Sequence, residues 1–243
     1  MVGSVLIDLD STVFNTDECV TGFLRDMVDC NYKPNIVSYD FNKTASYLSS
    51  NKGTDIWRTK GTADWNPENL NLGITRSSLV KAHSDKRVFD RLEFYPGVVD
   101  SIRALINLGI HVTFKTRVSG TDADTDIILN KYSLLRGAFT GSYNHFDLLI
   151  LGTDSTIDSV YDAIFDDNIN EYINIIKNNG KMRGQFYLMD KSYNTDGYLN
   201  ALFDCKTTIS DEVYEASRLN PYVKVDNLVE GIKKFSSTLS LVY

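Results

Sequence analysis

The chain of 243 residues is poor in the residues that mark several familiar protein classes: it has three cysteines, three histidines, four prolines and two tryptophans. Cys19, Cys30 and Cys205 form no Cys-x-x-Cys pair and no dense framework, which excludes a disulfide-stapled domain and a cysteine zinc site. They read as thiols of a reducing compartment, and a cytoplasmic location is expected. His83, His111 and His145 are scattered, so a histidine-rich metal centre is not expected. No apolar run approaches the length of about 18 residues needed to cross a bilayer. The first residues, MVGSVLIDLD, lack a basic region and reach an Asp after seven residues, so they are not expected to act as a signal peptide. There is no internal repeat, and neither a GxGxxG nor a GxxxxGK[ST] phosphate loop occurs. The net charge of −7 opposes long-range attraction to nucleic acid or an anionic membrane. The sequence leaves the oligomeric state open.

What is present is ordinary globular material. A hydrophobic content of 42% supplies enough apolar surface for a substantial core. Residues 4–10 (SVLIDLD) form a short, nearly continuous apolar run, as a strand covered on both faces requires. TDECVTGFLRDMVD, residues 16–29, predicts a helix with Asn15 or Thr16 at its start and Val20, Phe23, Leu24, Met27 and Val28 on one face. From Asn31 to Glu93 the chain turns polar and weakly periodic, and both tryptophans, Trp57 and Trp65, fall there. Order returns at FYPGVVDSIRALINLGIHVTFKTR: a helix carrying Val98, Ile102, Leu105 and Ile106, a stop at Gly109, then a strand. A helix from Asp124, a strand in HFDLLILG, another in VYDAIFDD and a last one in GQFYLMD follow. Strands alternating with helices predict an α/β fold with a doubly wound, Rossmann-like parallel sheet, whose ligands bind beyond the carboxyl ends of the strands. Residues 1–14 and 95–243 are expected to form this core, with 15–94 inserted as a mainly helical cap.

Asp8, Asp10, Thr116, Asp166 and Asp167 all fall at those strand ends. A carboxylate there is costly unless a cation or hydrogen-bond donors compensate it. If the strands are neighbours, these groups converge on one crevice.

Asp8-x-Asp10-x-Thr12 after a first strand, Thr116 after a second and Asp166-Asp167 after a later one resemble the haloacid dehalogenase superfamily. DLDSTVFNTDECVTGFL, AIFDDN and FYLMDKSYN further resemble its 5′(3′)-deoxyribonucleotidase branch, including phage-type deoxynucleoside-5′-monophosphatases. The resemblance covers most of residues 4–14 and 95–194 and hardly reaches the insertion. It implies a Mg²⁺-dependent phosphomonoesterase acting on (deoxy)nucleoside 5′-monophosphates. Asp8 would be the nucleophile that becomes an aspartyl phosphate, and Asp10 the acid and base. Asp8, the backbone carbonyl of Asp10, Asp166 and Asp167 would hold Mg²⁺, a hard cation suited to carboxylate and phosphate oxygens. Thr116 and the Ser11 and Thr12 amides would cradle the phosphoryl group.

One feature departs from that pattern. The superfamily places a lysine shortly before the last acidic pair, whereas this chain has Ser155 there and no lysine between Lys131 and Lys177. Arg117 is the preferred substitute, because a guanidinium binds phosphate bidentately; Lys115 and Lys191 are the others. Phe14, Trp57 and Trp65 are candidate substrate contacts, the tryptophans as stacking platforms or equally as core of the insertion. Two other functions fit the composition. A nucleic-acid end phosphatase, such as a 3′-phosphatase, would use cap cations that include Lys43, Lys52, Arg58, Lys60, Arg87 and Arg91 as a basic groove. A catalytically impaired nucleotide-binding protein would account for the absent lysine.

Overall fold

A computed structural model describes residues 3–30, 32, 39–52, 71–83, 85–118, 124–139, 141, 146–152, 155–158, 160–191, 193–196, 199, 203 and 209–239. Six strands form one parallel sheet: β1 (Ser4–Asp8), β2 (His111–Arg117), β3 (Phe146–Leu151), β4 (Ala163–Asp166), β5 (Gln185–Met189) and β6 (Val223–Val225). Their spatial order is β3-β2-β1-β4-β5-β6. The chain therefore winds outward from β1 to β3 and returns to place β4 on the other side of β1. A doubly wound sheet opens its ligand crevice where that reversal occurs, beyond the carboxyl ends of β1 and β4.

Side-chain alternation assigns each strand residue to a face. Val5, Ile7, Val112, Phe114 and Phe165 share one core cluster with residues of α1 (Thr16–Asp29), α5 (Val98–Asn107), α6 (Asp124–Ala138) and α9 (Leu228–Leu239). Leu6, Ile164, Phe186 and Leu188 share the other with α7 (Ile169–Asn179) and α8 (Asp211–Leu219). The sheet is thus covered on both faces, as the continuous apolar runs predict.

Several helices start where the sequence supplies a capping side chain. α1 spans the predicted residues, but its Asn15 side chain does not cap it. The Asn15 side-chain Oδ1 instead accepts from Glu93 N–H at 2.8 Å and ties Asn15 to Glu93. α5 ends at Leu108, and the left-handed backbone of Gly109 (φ 77°) turns the chain into β2. Within 15–94 the described residues also contain α2 (Phe41–Ser50), α3 (Arg76–Ala82) and α4 (Lys86–Phe89). Each has a cap whose side chain accepts a backbone N–H: Asp40, Thr75 and Asp85. Leu72, Ile74, Leu79, Ala82, Val88 and Leu92 join the same core cluster as β1, so this region packs directly onto the sheet's helical layer.

β6 is not predicted by the sequence reading. It has three residues at the sheet edge, between Pro221 and Asp226, too few to show alternation. No described helix is long and apolar enough to cross a membrane.

Candidate active site

The parallel register builds the site. Asp8 pairs with Lys115 across β1 and β2, while Ile7 pairs with Phe165 across β1 and β4. One step further, Asp166 follows Phe165 at the same end of the sheet. Asp8 and Asp166 have the parity of Leu6 and Ile164, so both face the α7 side. Carboxylate oxygens of Asp8, Asp166 and Asp167 lie within 4.8 Å of one another, and all three residues are buried.

Lys115 reaches into this cluster. Its Nζ lies 2.9 Å from Asp8 Oδ1, 2.5 Å from Asp166 Oδ2 and 3.7 Å from Glu171 Oε2. Glu171 sits in the first turn of α7 and forms a two-pronged pair with Arg117, Nε to Oε1 at 2.7 Å and Nη2 to Oε2 at 2.9 Å. Burial pushes the Asp8 carboxyl well above the usual range, and the facing carboxylates of Asp166 and Asp167 add to the rise despite the opposing Lys115 charge. Asp166 is pushed up to about 7, again chiefly by burial and against Lys115. Burial alone would lower the Lys115 pKa, but Asp166, Asp8 and Glu171 raise it, so the side chain stays an ammonium. One ammonium leaves this group of acids under-compensated.

Thr116 has the opposite parity and points toward the α6 side. There Lys131 Nζ donates to Asp10 Oδ2 at 2.6 Å and to Thr116 Oγ1 at 3.3 Å. Asp10 also accepts from Thr16 Oγ1 at 2.9 Å, and the Thr116 hydroxyl approaches its Oδ2 at 3.4 Å. The Asp10 side chain remains 29% exposed, open to the crevice. Partial enclosure would raise its pKa, but the charge and hydrogen bond of Lys131, with the Thr16 hydroxyl, hold it down at about 2. The loop between β1 and α1 makes this possible: Ser11 adopts a left-handed backbone (φ 57°), costing roughly 1–2 kcal/mol for a residue with a Cβ. Both Ser11 and Thr12 are buried, and Thr12 Oγ1 has no hydrogen-bond partner among the described residues.

Asp167 is fixed from a third side. The Tyr193 hydroxyl donates to its Oδ2, and Asn194 Nδ2 donates to its backbone oxygen at 2.6 Å and to Met189 O at 3.0 Å. The Tyr193-Asn194 turn therefore clamps the acidic pair.

The structure thus brings together Asp8, Asp10, Ser11, Thr12, Lys115, Thr116, Asp166 and Asp167. It does not bring Arg117 to the Thr116 side: besides Glu171, its guanidinium donates to Gly152 O at 2.7 Å and Ser155 O at 3.0 Å. Its strand parity, opposite to that of Thr116, sends it under α7. Lys115, also a candidate phosphate ligand, shares that parity and lies on the carboxylate cluster instead. Lys191 donates to the Tyr95 hydroxyl at 3.2 Å and stacks over that ring. Phe14, a candidate substrate contact, is instead fully buried against Phe94, with ring centroids 4.8 Å apart. Its truncation to Ala would cost about 3–5 kcal/mol of stability, a core role rather than a binding one. Trp57, Trp65, Arg58 and Lys60 lie outside the described residues.

Lys131 and Glu171 were missed by the sequence reading. The signal for Lys131 is its spacing of four from Leu135 on α6, and of eight from Phe139 just past its end, all three buried. A lysine on such a stripe has to meet an anion. Glu171 gives no comparable signal, because an acid in a first helical turn is commonplace.

The donors suit a hard divalent cation: three buried carboxyl groups converge, and when all are ionised they carry more negative charge than Lys115 neutralises, which is why burial raises the pKa of Asp8 and Asp166 despite it.

No family model and no curated protein matches the chain. Among solved structures, it is similar to a predicted phosphatase from Clostridium acetobutylicum, with 15% identity, 98% of this chain and 99% of that chain covered, and a TM-score of 0.49. A hydrolase from Pseudomonas syringae shows 14% identity over 96% and 98% of the two chains, with a TM-score of 0.44. A haloacid dehalogenase-like family hydrolase from Streptococcus pneumoniae shows 10% identity over 96% and 98%, with a TM-score of 0.47. None of these likenesses carries the chemistry of the site, which rests on its side chains.

Proposed function

We infer that the protein is a Mg²⁺-dependent phosphomonoesterase of the haloacid dehalogenase type, working through an aspartyl phosphate on Asp8. The observation that carries this reading is the division of labour between two carboxylates two residues apart. Asp8 lies within a buried acidic cluster, while Asp10 lies outside it, open to the crevice and hydrogen-bonded beside Thr116. Asp8, Asp166 and Asp167, with the Asp10 carbonyl, would hold Mg²⁺, which supplies counter-charge between the nucleophile and an anionic phosphate.

A phosphoryl group entering the crevice is received by Lys131 and the Thr116 hydroxyl. Lys131 here takes the role of the absent lysine, in preference to Arg117. One Asp8 oxygen forms a bond to phosphorus as the bond to the leaving oxygen breaks. Asp10 must then carry a proton for that oxygen. In the ligand-free site Asp10 is held as a carboxylate chiefly by Lys131, with the Thr16 hydroxyl, so an arriving phosphate that draws Lys131 to itself frees Asp10 to protonate. Asp10 then takes a proton from the water that attacks the phosphorus of the aspartyl phosphate, releasing inorganic phosphate and regenerating Asp8.

Residues 15–94 act as the cap that selects the leaving group. Nucleoside 5′-monophosphates, deoxy forms first, are the proposed substrates, on the resemblance of the first and last acidic segments to deoxyribonucleotidases. The end-phosphatase reading is weakened by pairing within the cap. Arg87 and Arg91 converge on Asp26 at 3.2 and 2.6 Å, and Lys86 pairs with Asp90 at 2.8 Å. The binding-only reading loses its motive, since Lys131 supplies a cation beside Thr116.

The test is phosphate release from deoxy- and ribonucleoside 5′-monophosphates, sugar phosphates and 3′-phosphorylated oligonucleotides, with Mg²⁺ or EDTA. Mg²⁺-dependent release from the deoxynucleotides, lost in Asp8→Asn, supports the whole reading. Release confined to sugar phosphates or oligonucleotides would remove the nucleotidase part alone. No release from any of them overturns the hydrolase assignment.

A further inference from the structure

The buried ammonium of Lys115 already touches two of the carboxylates proposed for the metal. It also lies 3.7 Å from a third acid, Glu171, which is outside the Asp8–Asp166–Asp167 cluster. Glu171 is held in place by the two-pronged bond from Arg117, and Arg117 is itself anchored on the backbone oxygens of Gly152 and Ser155. Lys115, Arg117 and Glu171 therefore form a connected branch beneath the cluster, on the α7 side and away from Thr116.

We propose that Lys115 is a resident counter-cation for the metal-free site, displaced toward Glu171 when a divalent cation binds. The inference rests on the metal reading above. Two cations cannot share the Asp8 and Asp166 oxygens without strong repulsion, because like charges a few ångströms apart in a buried site are poorly screened. The ammonium needs a second anion within reach, and a buried lysine cannot simply move into solvent. Glu171 meets that need, and Arg117 fixes its carboxylate so that it can accept Lys115 with little rearrangement. Glu171 and Arg117 are positioning residues here, acting on the metal site only through Lys115. The arrangement also explains why a lysine is tolerated beside a metal cluster: it compensates acids that would otherwise repel one another before the metal arrives.

The two ends of this device make opposite predictions. Calorimetric titration of substrate-free protein with Mg²⁺ and, separately, Mn²⁺ reads metal affinity without any turnover. In Lys115→Met the competing cation is gone, and the metal binds on the order of tenfold tighter. In Glu171→Gln the displaced lysine has no anion to receive it, and affinity falls by about 10- to 100-fold. The double variant binds as tightly as Lys115→Met, because Glu171 matters only while Lys115 is present. Lys115→Met is also expected to lose thermal stability without metal and to recover it at saturating Mg²⁺. Weaker or unchanged binding by Lys115→Met overturns the inference, as does a Glu171→Gln loss that persists in the double variant. A Lys115→Met chain that stays unfolded at saturating Mg²⁺ overturns it too, since the metal would then fail to replace the lysine. If the unsubstituted protein binds neither metal, the metal reading itself falls, a result distinct from the others.

Discussion

Two buried lysines, one near the end of β2 and one in the middle of α6, meet carboxylates in opposite ways. Lys131, from α6, contacts a single carboxylate among the described residues, that of Asp10, whose pKa falls to about 2. Lys115, from β2, faces Asp8, Asp166 and Glu171 together, and burial pushes Asp8 and Asp166 up in spite of it. The same side-chain chemistry therefore yields one satisfied ion pair and one under-compensated cluster. The difference is stoichiometry of charge, and strand alternation creates it. Thr116 looks toward α6, whereas Lys115 and Arg117 look toward α7. An acid–base group belongs in the first setting and a metal-linked nucleophile in the second.

The largest expected effects come from removing one member of each pair. Asp8→Asn is expected to lower phosphate release by a factor on the order of 10⁴ or more, measured in single-turnover assays with Mg²⁺. Lys131→Met should cost about 10²- to 10³-fold in kcat/KM, the usual scale for losing one preorganised charge donor, while leaving calorimetric Mg²⁺ affinity nearly unchanged. A change of Mg²⁺ affinity in Lys131→Met as large as that in Lys115→Met would erase the distinction between the two lysines.

The pH dependence sharpens the contrast further. Asp166 titrates at about 7 in the metal-free fold, against about 3.9 in an unfolded chain. Between those values the folded chain keeps a proton that the unfolded chain has released. Its contribution therefore falls as pH rises from about 4 to about 7. Asp10 runs the other way: its depressed pKa contributes stability that is present above about 3.9 and lost as pH falls through about 2. A divalent cation binds the ionised form of Asp166, so the Tm gain on adding Mg²⁺ is expected to be larger at pH 8 than at pH 5. Thermal unfolding followed by circular dichroism at both pH values reads this directly, and an equal or reversed gain would contradict it.

The smallest effect concerns the third support of the cluster. Tyr193→Phe removes the hydroxyl that donates to Asp167. It should weaken Mg²⁺ binding about tenfold and cost about 1 kcal/mol of stability, with the Asp10 side of the site untouched.

Much of this was legible in the residue order. The apolar run before Asp8, the face of α1 and the Gly109 stop all follow from periodicity and backbone preference, and the doubly wound sheet follows from their alternation. The convergence of Asp8, Asp10, Thr116, Asp166 and Asp167 follows from strand-end positions once β1, β2 and β4 are neighbours, as they are. What escaped depends on tertiary direction. Arg117 is adjacent to Thr116 in sequence, yet alternation sends it to the opposite face. Lys131 lies far from every motif and arrives only because α6 packs on the Thr116 side. β6 is too short to carry a pattern, and Phe14 beside the acidic motif turns inward to Phe94. Proximity along the chain was a poor guide wherever a strand's two faces had to be told apart.

The central claim is that Asp8 on the metal side is phosphorylated while Asp10 on the Lys131 side moves protons. The most direct measurement is acid-quenched mass spectrometry of Asp10→Asn mixed with a turned-over phosphomonoester and Mg²⁺. Slowed hydrolysis of the intermediate should leave one phosphoryl group on the peptide containing residue 8, absent in EDTA and absent when Asp8→Asn is added. A phosphoryl group on another residue, or steady phosphate release by the Asp8→Asn protein, would contradict the account.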